Sequence, residues 1–369
     1  MEIRSLTTSS FRNLEPSTTA FSAGVNLVIG GNGEGKTSLL EAVAVLANLR
    51  SFRTASWRAV ACHGSRQFAV SGEFEGGAGS SRLNQTVEVG PPVCRSLSVN
   101  RGDASVEQYL TVCPVFALTS QDSELVVGAP SLRRALVDRL AFLLEPETLA
   151  DVRGFQRTLR QRNAALSGGA GDRELDAWDQ RLAALSAAVV ARRSRAVTRL
   201  ERSFGETYGR LCGDGFPEMS VGYRSETWLN GCTSAKELEE SYRKRYNETR
   251  ARDRQMGHTL EGPHRHDLRL EADGRAAKEV LSSGQTKVVA AALRLATVEQ
   301  VEGERGELLP VIIDDVDAEL DSAVFARLTR NLASRRQLLL SSAHGELVSS
   351  SFPEARTITM EEGRAKTVR

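Results

Sequence analysis

Short apolar and β-branched runs, each followed by turn residues, dominate about the first 115 residues of the chain. The clearest runs cover residues 24–29, 68–70 and 97–99. Runs of this length and composition predict β-strands. We therefore expect the N-terminal third of the chain to contain β-sheet.

The spacing of apolar residues changes after Pro130, where they recur every three to four positions. The first such face consists of Leu132, Leu136, Leu140 and Leu143. This period predicts an amphipathic helix, with Ser131 as its N-cap. A second seam follows the glycine-rich residues 167–171 and consists of Leu175, Trp178, Leu182, Leu185 and Val189. We predict a helical hairpin with its turn at the glycines and a second helix of about 45 Å.

Strand-like and helix-like segments alternate again from about Gly257, and the last strand pattern covers residues 357–360. A chain of 369 residues suits two lobes of unequal size. The predicted fold class is therefore α/β. One domain is formed by residues 1–117 and 256–369, and a helical insertion at 118–255 interrupts it in sequence.

The strongest local motif is a glycine-rich loop that matches the pattern GxxxxGK[ST], between the predicted strand at 25–29 and a predicted helix at 38–46. Such a loop turns its backbone N–H groups toward phosphate oxygens, and the helix N-terminus adds partial positive charge. Lys36 is expected to reach the β and γ phosphates of ATP, and the Thr37 hydroxyl to ligate Mg²⁺. The predicted nucleotide-binding residues of this loop are Gly30, Gly31, Asn32, Gly33, Glu34, Gly35, Lys36, Thr37 and Ser38.

The second half of a phosphate site should be a buried strand that ends in an acidic residue. Residues 308–313 form an apolar run followed by Asp314 and Asp315, with Pro310 expected at the strand's start. We predict that Asp314 holds Mg²⁺ through its water shell. Asp315 is placed to orient or deprotonate the attacking water.

Residues 281–285 read Leu-Ser-Ser-Gly-Gln and precede a helix-like run, 286–300. They resemble the LSGGQ signature of ABC ATPases, with Ser283 in place of one glycine. In that superfamily the signature completes the γ-phosphate site of a partner subunit, which implies an ATP-dependent head-to-tail homodimer. The hydroxyl of Ser282, the Gly284 backbone and the helix N-terminus offer donors to an anion. The resemblance implies nucleotide contacts for Ser282, Ser283 and Gly284, and catalytic roles for Ser282, Gln285, Lys36 and Asp315.

The order of these motifs resembles the ATPase heads of SMC, Rad50 and RecF-type proteins, with residues 319–321 (ELD) similar to a D-loop. About 245 residues separate Lys36 from Ser282 and no CxxC motif occurs, which favours the short-armed RecF family. Further similarities to that family lie at residues 11–14 (FRNL), 51–54 (SFRT), 128–138, 162–163 (RN), 175–182 (LDAWDQRL) and 262–265 (GPHR). Gln121 is the candidate Q-loop glutamine, which the resemblance places at the metal site with Thr37 and Asp314. His344 is either a γ-phosphate sensor or a solvated loop histidine.

The resemblance implies a weak, DNA-linked ATPase and recombination mediator. It would bind duplex DNA near junctions with single strands and cooperate with RecR and RecO in loading recombinase. Lysine and arginine total 48 against 47 acidic residues, so a DNA surface must be local. Only 5% of residues are aromatic, which favours recognition of the duplex backbone over base stacking. Candidate DNA contacts are Arg53, Arg58, Arg133 and Arg134, and the cluster Arg192, Arg193 and Arg195.

Two other classes share these motifs. A nucleotide-binding subunit of an ABC transporter normally lacks the long helical insertion, and an ATPase switch of a defence system usually carries a separate nuclease domain. No apolar run approaches the roughly 20 residues of a membrane span, and no secretion signal is evident, so we expect a cytoplasmic chain without a membrane partner. Five cysteines without a CxxC pair argue against a disulfide framework.

Overall fold

The computed structural model describes residues 1–77, 79–213, 215–315, 322–332, 336–343 and 352–368. The strands are β1 (Glu2–Ser9), β2 (Ser17–Ala20), β3 (Val25–Ile29), β4 (Gln67–Gly76), β5 (Gly79–Glu88), β6 (Cys94–Val99), β7 (Gly102–Asp103), β8 (Phe116–Leu118), β9 (Met219–Arg224), β10 (Asp267–Ala272), β11 (Arg275–Ala276), β12 (Val311–Ile313), β13 (Leu338–Ser342), β14 (Arg356–Glu361) and β15 (Arg364–Val368). The helices are α1 (Lys36–Asn48), α2 (Trp57–Val60), α3 (Val106–Val112), α4 (Glu124–Val127), α5 (Pro130–Leu144), α6 (Thr148–Ser167), α7 (Asp172–Leu211), α8 (Ala235–Met256), α9 (Ala277–Val280), α10 (Ser283–Arg305) and α11 (Ser322–Leu332). No helix in these ranges is both long and apolar enough to cross a membrane.

The chain forms two compact units whose bounds differ from the predicted domains. Unit 1 contains residues 1–123, 206–216 and 281–369, and unit 2 contains residues 124–205 and 217–280. The predicted insertion therefore began slightly too early and ended too soon. Residues 256–280 belong to unit 2 because β10 pairs antiparallel with β9 across its full length. Residues 206–216 belong to unit 1, where Thr207 and Arg210 both donate hydrogen bonds to Glu299 of α10.

The described residues of unit 1 form two six-stranded sheets. One is antiparallel, in the order β2-β1-β4-β5-β6-β7, and the other has the order β15-β14-β3-β13-β12-β8. In the second sheet β14, β3, β13, β12 and β8 are parallel, and β15 pairs antiparallel at the edge. The carboxyl ends of parallel strands meet at one edge of a sheet, which is where such folds bind ligands. The loop after β3 and the residues after β12 and β13 therefore converge.

Helix α1 lies in the core of unit 1 and is buried on all sides. Each residue from Ser38 to Ala47 is buried, and the residues packed in the same core come from both sheets, including Phe74, Leu83, Ile312 and Leu339. A helix that is apolar around its whole circumference is buried on every side and does not lie at the protein surface. The helix begins directly after the glycine-rich loop, so the core of unit 1 fixes the loop's position.

Unit 2 is mainly helical, with a three-stranded sheet in the order β11-β10-β9. The predicted helix after Pro130 is present as α5, but Ser131 is not its N-cap. Ala129 occupies the N-cap position of α5, and Pro130 lies in the first turn. There the fixed φ of proline suits a helix, and its missing N–H removes no hydrogen bond from the helix. Leu136, Leu140 and Leu143 are buried as predicted, whereas Leu132 is 36% exposed.

Helices α6 and α7 form the predicted hairpin. Helix α6 ends at Ser167 with Gly168 as its C-cap, and Gly169 follows with a left-handed φ of 73°. Helix α7 has 40 residues, which corresponds to about 60 Å rather than 45 Å. The predicted length was too short because the helix continues past the apolar seam to Leu211. Within the seam, Leu175, Leu182 and Val189 are buried.

Candidate nucleotide-binding site

The glycine-rich loop joins the carboxyl end of β3 to α1, as the motif requires. Gly35 caps α1 with a φ of 105°, a left-handed conformation that side chains with a Cβ rarely adopt. The Lys36 ammonium donates hydrogen bonds to the carbonyl oxygens of Gly30 at 2.8 Å and Gly31 at 2.9 Å. These two bonds hold the Lys36 ammonium over the glycine-rich loop.

Asn13 holds the loop from outside the motif. Its amide nitrogen donates to the Gly33 carbonyl at 2.8 Å, and its amide oxygen accepts from the Ser38 hydroxyl at 2.8 Å. One side chain therefore connects the loop to the first turn of α1. The sequence marks residues 11–14 only as a family similarity and gives no sign of this role for Asn13.

Asp314 lies directly after β12, at the sheet edge that also carries Thr37. Its Oδ1 accepts from the Thr37 hydroxyl at 3.0 Å and from the Ser341 hydroxyl at 2.7 Å. Burial raises the pKa of Asp314, while the Ser341 and Thr37 hydrogen bonds oppose that rise. Hydroxyl and carboxylate oxygens are the donors that Mg²⁺ prefers, so these residues fit the predicted metal.

The raised pKa of Asp314 has a consequence for stability. Folding favours the protonated form of this acid, so its contribution to stability is greatest below the ordinary pKa of aspartate and is lost as pH rises through the folded value. We expect Asp314→Asn to raise the thermal midpoint at neutral pH, with the gain shrinking toward about pH 4. Differential scanning fluorimetry across this range tests it, with the exposed Asp103→Asn as control. A lower midpoint at neutral pH would contradict it.

The loop faces an open cavity of about 520 Å³ whose described lining combines several parts of unit 1. The lining residues are Arg12, Asn13, Asn32, Gly33, Gly35, Lys36, Thr37, Ser38, Arg53, Ala59, Ala61, His63, Asp315 and Ser341. Asp315 has a φ of 56°, and its backbone N–H donates to the Ser341 hydroxyl at 2.8 Å. Ser341 therefore makes hydrogen bonds to both Asp314 and Asp315, although the sequence did not point to this serine.

The ABC-like signature lies outside this lining. Ser282, Ser283 and Gly284 are exposed at the N-terminus of α10. The Ser282 hydroxyl accepts from the Gln285 backbone N–H at 3.3 Å, and the Gln285 side-chain oxygen accepts from the Ser282 N–H at 3.0 Å. This reciprocal pair is a capping box, which fixes the start of the helix and leaves its surface accessible. Gln121 is exposed in a 3₁₀ turn (Ser120–Ser123) and is also outside the described lining.

A buried carboxylate supports the cavity wall. Glu41 of α1 is fully buried and accepts from Arg12 at 2.7 and 2.9 Å, from the Ser51 hydroxyl at 2.5 Å and from Arg53 at 3.4 Å. Arg12 and Arg53 both line the cavity. The sequence offered one signal for this role, since Glu41 is the single acid of α1 and lies within the apolar run 39–47.

The arginines predicted to contact DNA fall into two groups. Arg53 is 42% exposed at the cavity, and Arg58 is exposed while donating to the Ser65 carbonyl. Arg133, only 11% exposed, makes two 2.8 Å bonds to Asp267, and Arg134 donates to the His266 carbonyl, with burial lowering its pKa. Arg133 and Arg134 therefore stabilise unit 2 through these bonds, and their contact with DNA stays a prediction.

The cluster on α7 is likewise committed to internal pairs. Arg193 binds Asp138 and the Pro263 carbonyl, while Arg192 and Arg195 share Glu145. Arg192 and Arg193 therefore stabilise unit 2. Arg195 is 53% exposed and stays accessible, as do Arg53 and Arg58. His344 and residues 319–321 lie outside the described residues.

Comparison with known proteins assigns the family. A family model described as the RecF/RecN/SMC N terminal domain matches residues 2–367. The chain is 32% identical to the DNA replication and repair protein RecF of Anaeromyxobacter sp. (strain Fw109-5), covering 87% of this chain and 86% of the relative. It is 30% identical to the RecF of Escherichia coli (strain K12 / DH10B) over 99% of both chains. The chain belongs to the RecF family. It is thus a member of a family of DNA replication and repair proteins.

Solved structures agree with this assignment at the level of fold. The structure of the recombination mediator protein RecF-ATP aligns with a TM-score of 0.90 at 22% identity, over 100% of this chain and 97% of that one. An SMC head bound to the C-winged helix domain of ScpA aligns with a TM-score of 0.56 at 15% identity, over 100% and 97%. The predicted ATPase-head fold is confirmed. Membership of the RecF family across nearly the whole chain disfavours the transporter and defence-system alternatives.

Proposed function

We propose that this chain is an ATP-dependent DNA-binding recombination mediator with weak ATPase activity, active as a head-to-tail homodimer. One observation carries the proposal. Thr37 and Asp314, 277 residues apart, meet at the glycine-rich loop, while the signature residues are exposed elsewhere in unit 1. One copy thus presents half of a triphosphate site, and a second copy would bring the other half.

Within one copy, each residue has a role that its position supports. Lys36 would bind the β and γ phosphates, and the backbone N–H groups of the loop would hold the remaining oxygens. Thr37 and Asp314 would hold Mg²⁺, which supplies positive charge against the phosphate oxygens when bound. Asp315, which shares the cavity, would orient or deprotonate the attacking water.

Between copies, the start of α10 would complete the site. This helix has 23 residues, and its N-terminus carries the exposed hydroxyls of Ser282 and Ser283 and the Gly284 backbone. Unsatisfied N–H groups and the helix dipole favour an anion at such an end. Gln285 fixes the Ser282 backbone through the capping box, so its catalytic contribution would be to keep the signature in position.

Closure around ATP would then control binding to DNA. A ligand shifts a conformational equilibrium only through differential affinity, so DNA that prefers the closed dimer would be released after hydrolysis. Arg53 and Arg58 are exposed and suit backbone phosphates of duplex DNA near single-strand junctions. The similar solved structure is that of the recombination mediator protein RecF-ATP in the RecFOR pathway, which supports RecR and RecO as partners in loading recombinase.

The homodimer can be tested with two matched serine variants. Ser105 caps α3 through the same Ser-x-x-Gln capping box as Ser282, and both serines are exposed. Replacing either with arginine should cost about 0.5–2 kcal/mol of helix stability. We expect ATP to shift wild type and Ser105→Arg from monomer to dimer in light scattering, whereas Ser282→Arg remains monomeric. Dimerisation of Ser282→Arg equal to wild type would reject the head-to-tail arrangement.

The same variants test the connection to DNA. Filter binding to gapped, duplex and single-stranded DNA should show ATP-dependent retention of gapped and duplex DNA by wild type and Ser105→Arg. Ser282→Arg should retain DNA equally poorly with and without ATP. Retention that does not depend on ATP, or no retention at all, would count against the mediator function.

A further inference from the structure

The turn at the C-terminal hairpin lies directly against the glycine-rich loop. This turn, Glu362 and Gly363, joins β14 to β15. The Gly363 N–H donates to the Glu34 carbonyl at 3.1 Å, and the Glu362 N–H donates to the Glu34 carboxylate. Glu34 is a member of the phosphate motif, so the turn contacts the loop through both backbone and side chain.

The same turn also contacts the segment that carries Asn13. The Glu15 N–H donates to the Gly363 carbonyl at 3.0 Å. A Cβ added to Gly363 would lie 2.0 Å from the Asn13 carbonyl oxygen and 3.3 Å from the Glu15 nitrogen. These are backbone atoms, so they cannot move aside by rotating a side chain. Gly363 is therefore the residue that permits the close approach.

Asn13 transmits this position to the phosphate site. Its side chain bonds the Gly33 carbonyl and the Ser38 hydroxyl, both at 2.8 Å. Gly35 is close as well, since a Cβ added there would lie 3.5 Å from the Gly363 Cα. Any movement of the turn away from Asn13 would shift contacts at the middle and at the end of the loop.

We propose that the Glu362–Gly363 turn is a positioning element of the phosphate-binding loop, with Gly363 as the residue that sets its register. The proposal rests on the proposed nucleotide-binding function. It assigns to the end of the chain a role in the site formed by residues 30–38, more than 300 residues earlier in the sequence. The turn positions the loop and does not itself line the described cavity.

A second turn in the chain provides a control for backbone strain. Asp273 and Gly274, between β10 and β11, have φ values of 48° and 73°, and Glu362 and Gly363 have 49° and 79°. Both are two-residue hairpin turns that need positive φ at each position. A Cβ added to Gly274 has no atom within 4 Å. Alanine at Gly274 therefore introduces the strain alone, whereas alanine at Gly363 introduces strain and the backbone clash.

The experiment compares Gly363→Ala with Gly274→Ala in the full-length chain. Hydrogen exchange followed by mass spectrometry, without nucleotide, should show faster exchange at residues 30–38 in Gly363→Ala only. The Kd for a fluorescent ATP analogue should rise about tenfold or more in Gly363→Ala and less than about twofold in Gly274→Ala. Glu34→Ala, which removes only the side-chain contact with the turn, should show the same exchange pattern to a smaller degree.

The outcomes separate this inference from the proposed function. Equal exchange at residues 30–38 and equal Kd in the two glycine variants would overturn the positioning role. Wild-type protein that does not bind the ATP analogue would overturn the proposed function, and the exchange comparison would still decide the role of the turn. If Gly363→Ala fails to fold, Glu34→Ala carries the test, and unchanged exchange in that variant would reject the proposal.

Discussion

Replacing Lys36 with alanine is expected to lower the rate of ATP hydrolysis by about 10²–10³-fold. The reason is electrostatic. The ammonium lies over the glycine-rich loop, 2.8 Å from the Gly30 carbonyl and 2.9 Å from the Gly31 carbonyl. Under the proposed function, it would face the transferred phosphoryl group from there. Catalysis of phosphoryl transfer rests mainly on charge stabilisation and positioning, so loss of this cation should reduce kcat more than it raises KM.

A phosphate-release assay with saturating ATP measures this change, and thermal unfolding checks that the fold is kept. The exposed Lys244→Ala provides a control, because its side chain is 80% exposed on α8 of unit 2. Lys36→Arg adds a second comparison, since it retains the charge but not the compact ammonium. Hydrolysis at the wild-type rate by Lys36→Ala would mean that the chemistry does not occur at this loop.

The glycine-rich loop and its flanking strand and helix were predictable because the information is local. Eight consecutive residues specify the loop, and the runs beside it show clear strand and helix patterns. The acids after β12 were also visible, since a short apolar strand followed by two aspartates is a local feature. What the sequence did not show was that Ser341, 27 residues after Asp314, donates to it from a neighbouring parallel strand. A serine after an apolar strand is too common to indicate a role.

The arginines show why charge patterns alone mislead. The sequence names Arg133 only as one of several candidates for a local basic surface, yet its side chain pairs with Asp267, 134 residues away. Arg193 likewise pairs with Asp138, 55 residues earlier. Arg133 and Arg193 are themselves largely buried and stabilise unit 2 through these pairs, whereas an exposed arginine remains available to a ligand. Only the tertiary structure separates the two cases.

The domain bounds failed for a related reason. The prediction ended the insertion near residue 255, where the helical pattern stops. The next strand, β10, pairs with β9 and with the short β11, so it extends the insertion's own sheet. Hydrophobic period identifies a strand but not its partner, because pairing depends on long-range packing. The family-specific segments 162–163, 175–182 and 262–265 were also predicted only as similarities, and two of them meet in a buried ionic network of unit 2.

That network centres on Arg162, whose side chain is fully buried between α6, α7 and α8. Its guanidinium donates to Asp179 at 2.6 Å and to Asp253 and Thr259 at 2.8 Å. Asp253 is itself fully buried, and Asp179 also accepts from Arg250. Removing Arg162 would leave Asp253 charged without a cationic partner in this network. We therefore expect Arg162→Met to lower the free energy of unfolding by about 3–5 kcal/mol.

Urea unfolding followed by circular dichroism should show a lower midpoint for Arg162→Met than for wild type. Arg269→Met is the matched control. Arg269 is 62% exposed and pairs with Glu271 on the surface of β10, so its replacement should change the free energy of unfolding by less than about 1 kcal/mol.

The double variant Arg162→Met, Asp253→Leu should recover part of the lost stability, because it removes the unpaired carboxylate together with its partner. A double variant less stable than Arg162→Met alone would show that Asp253 stabilises unit 2 through its bonds to Thr249 and Leu260 rather than through its charge. An unchanged midpoint for Arg162→Met would mean that the ionic network contributes specificity of packing and no net stability.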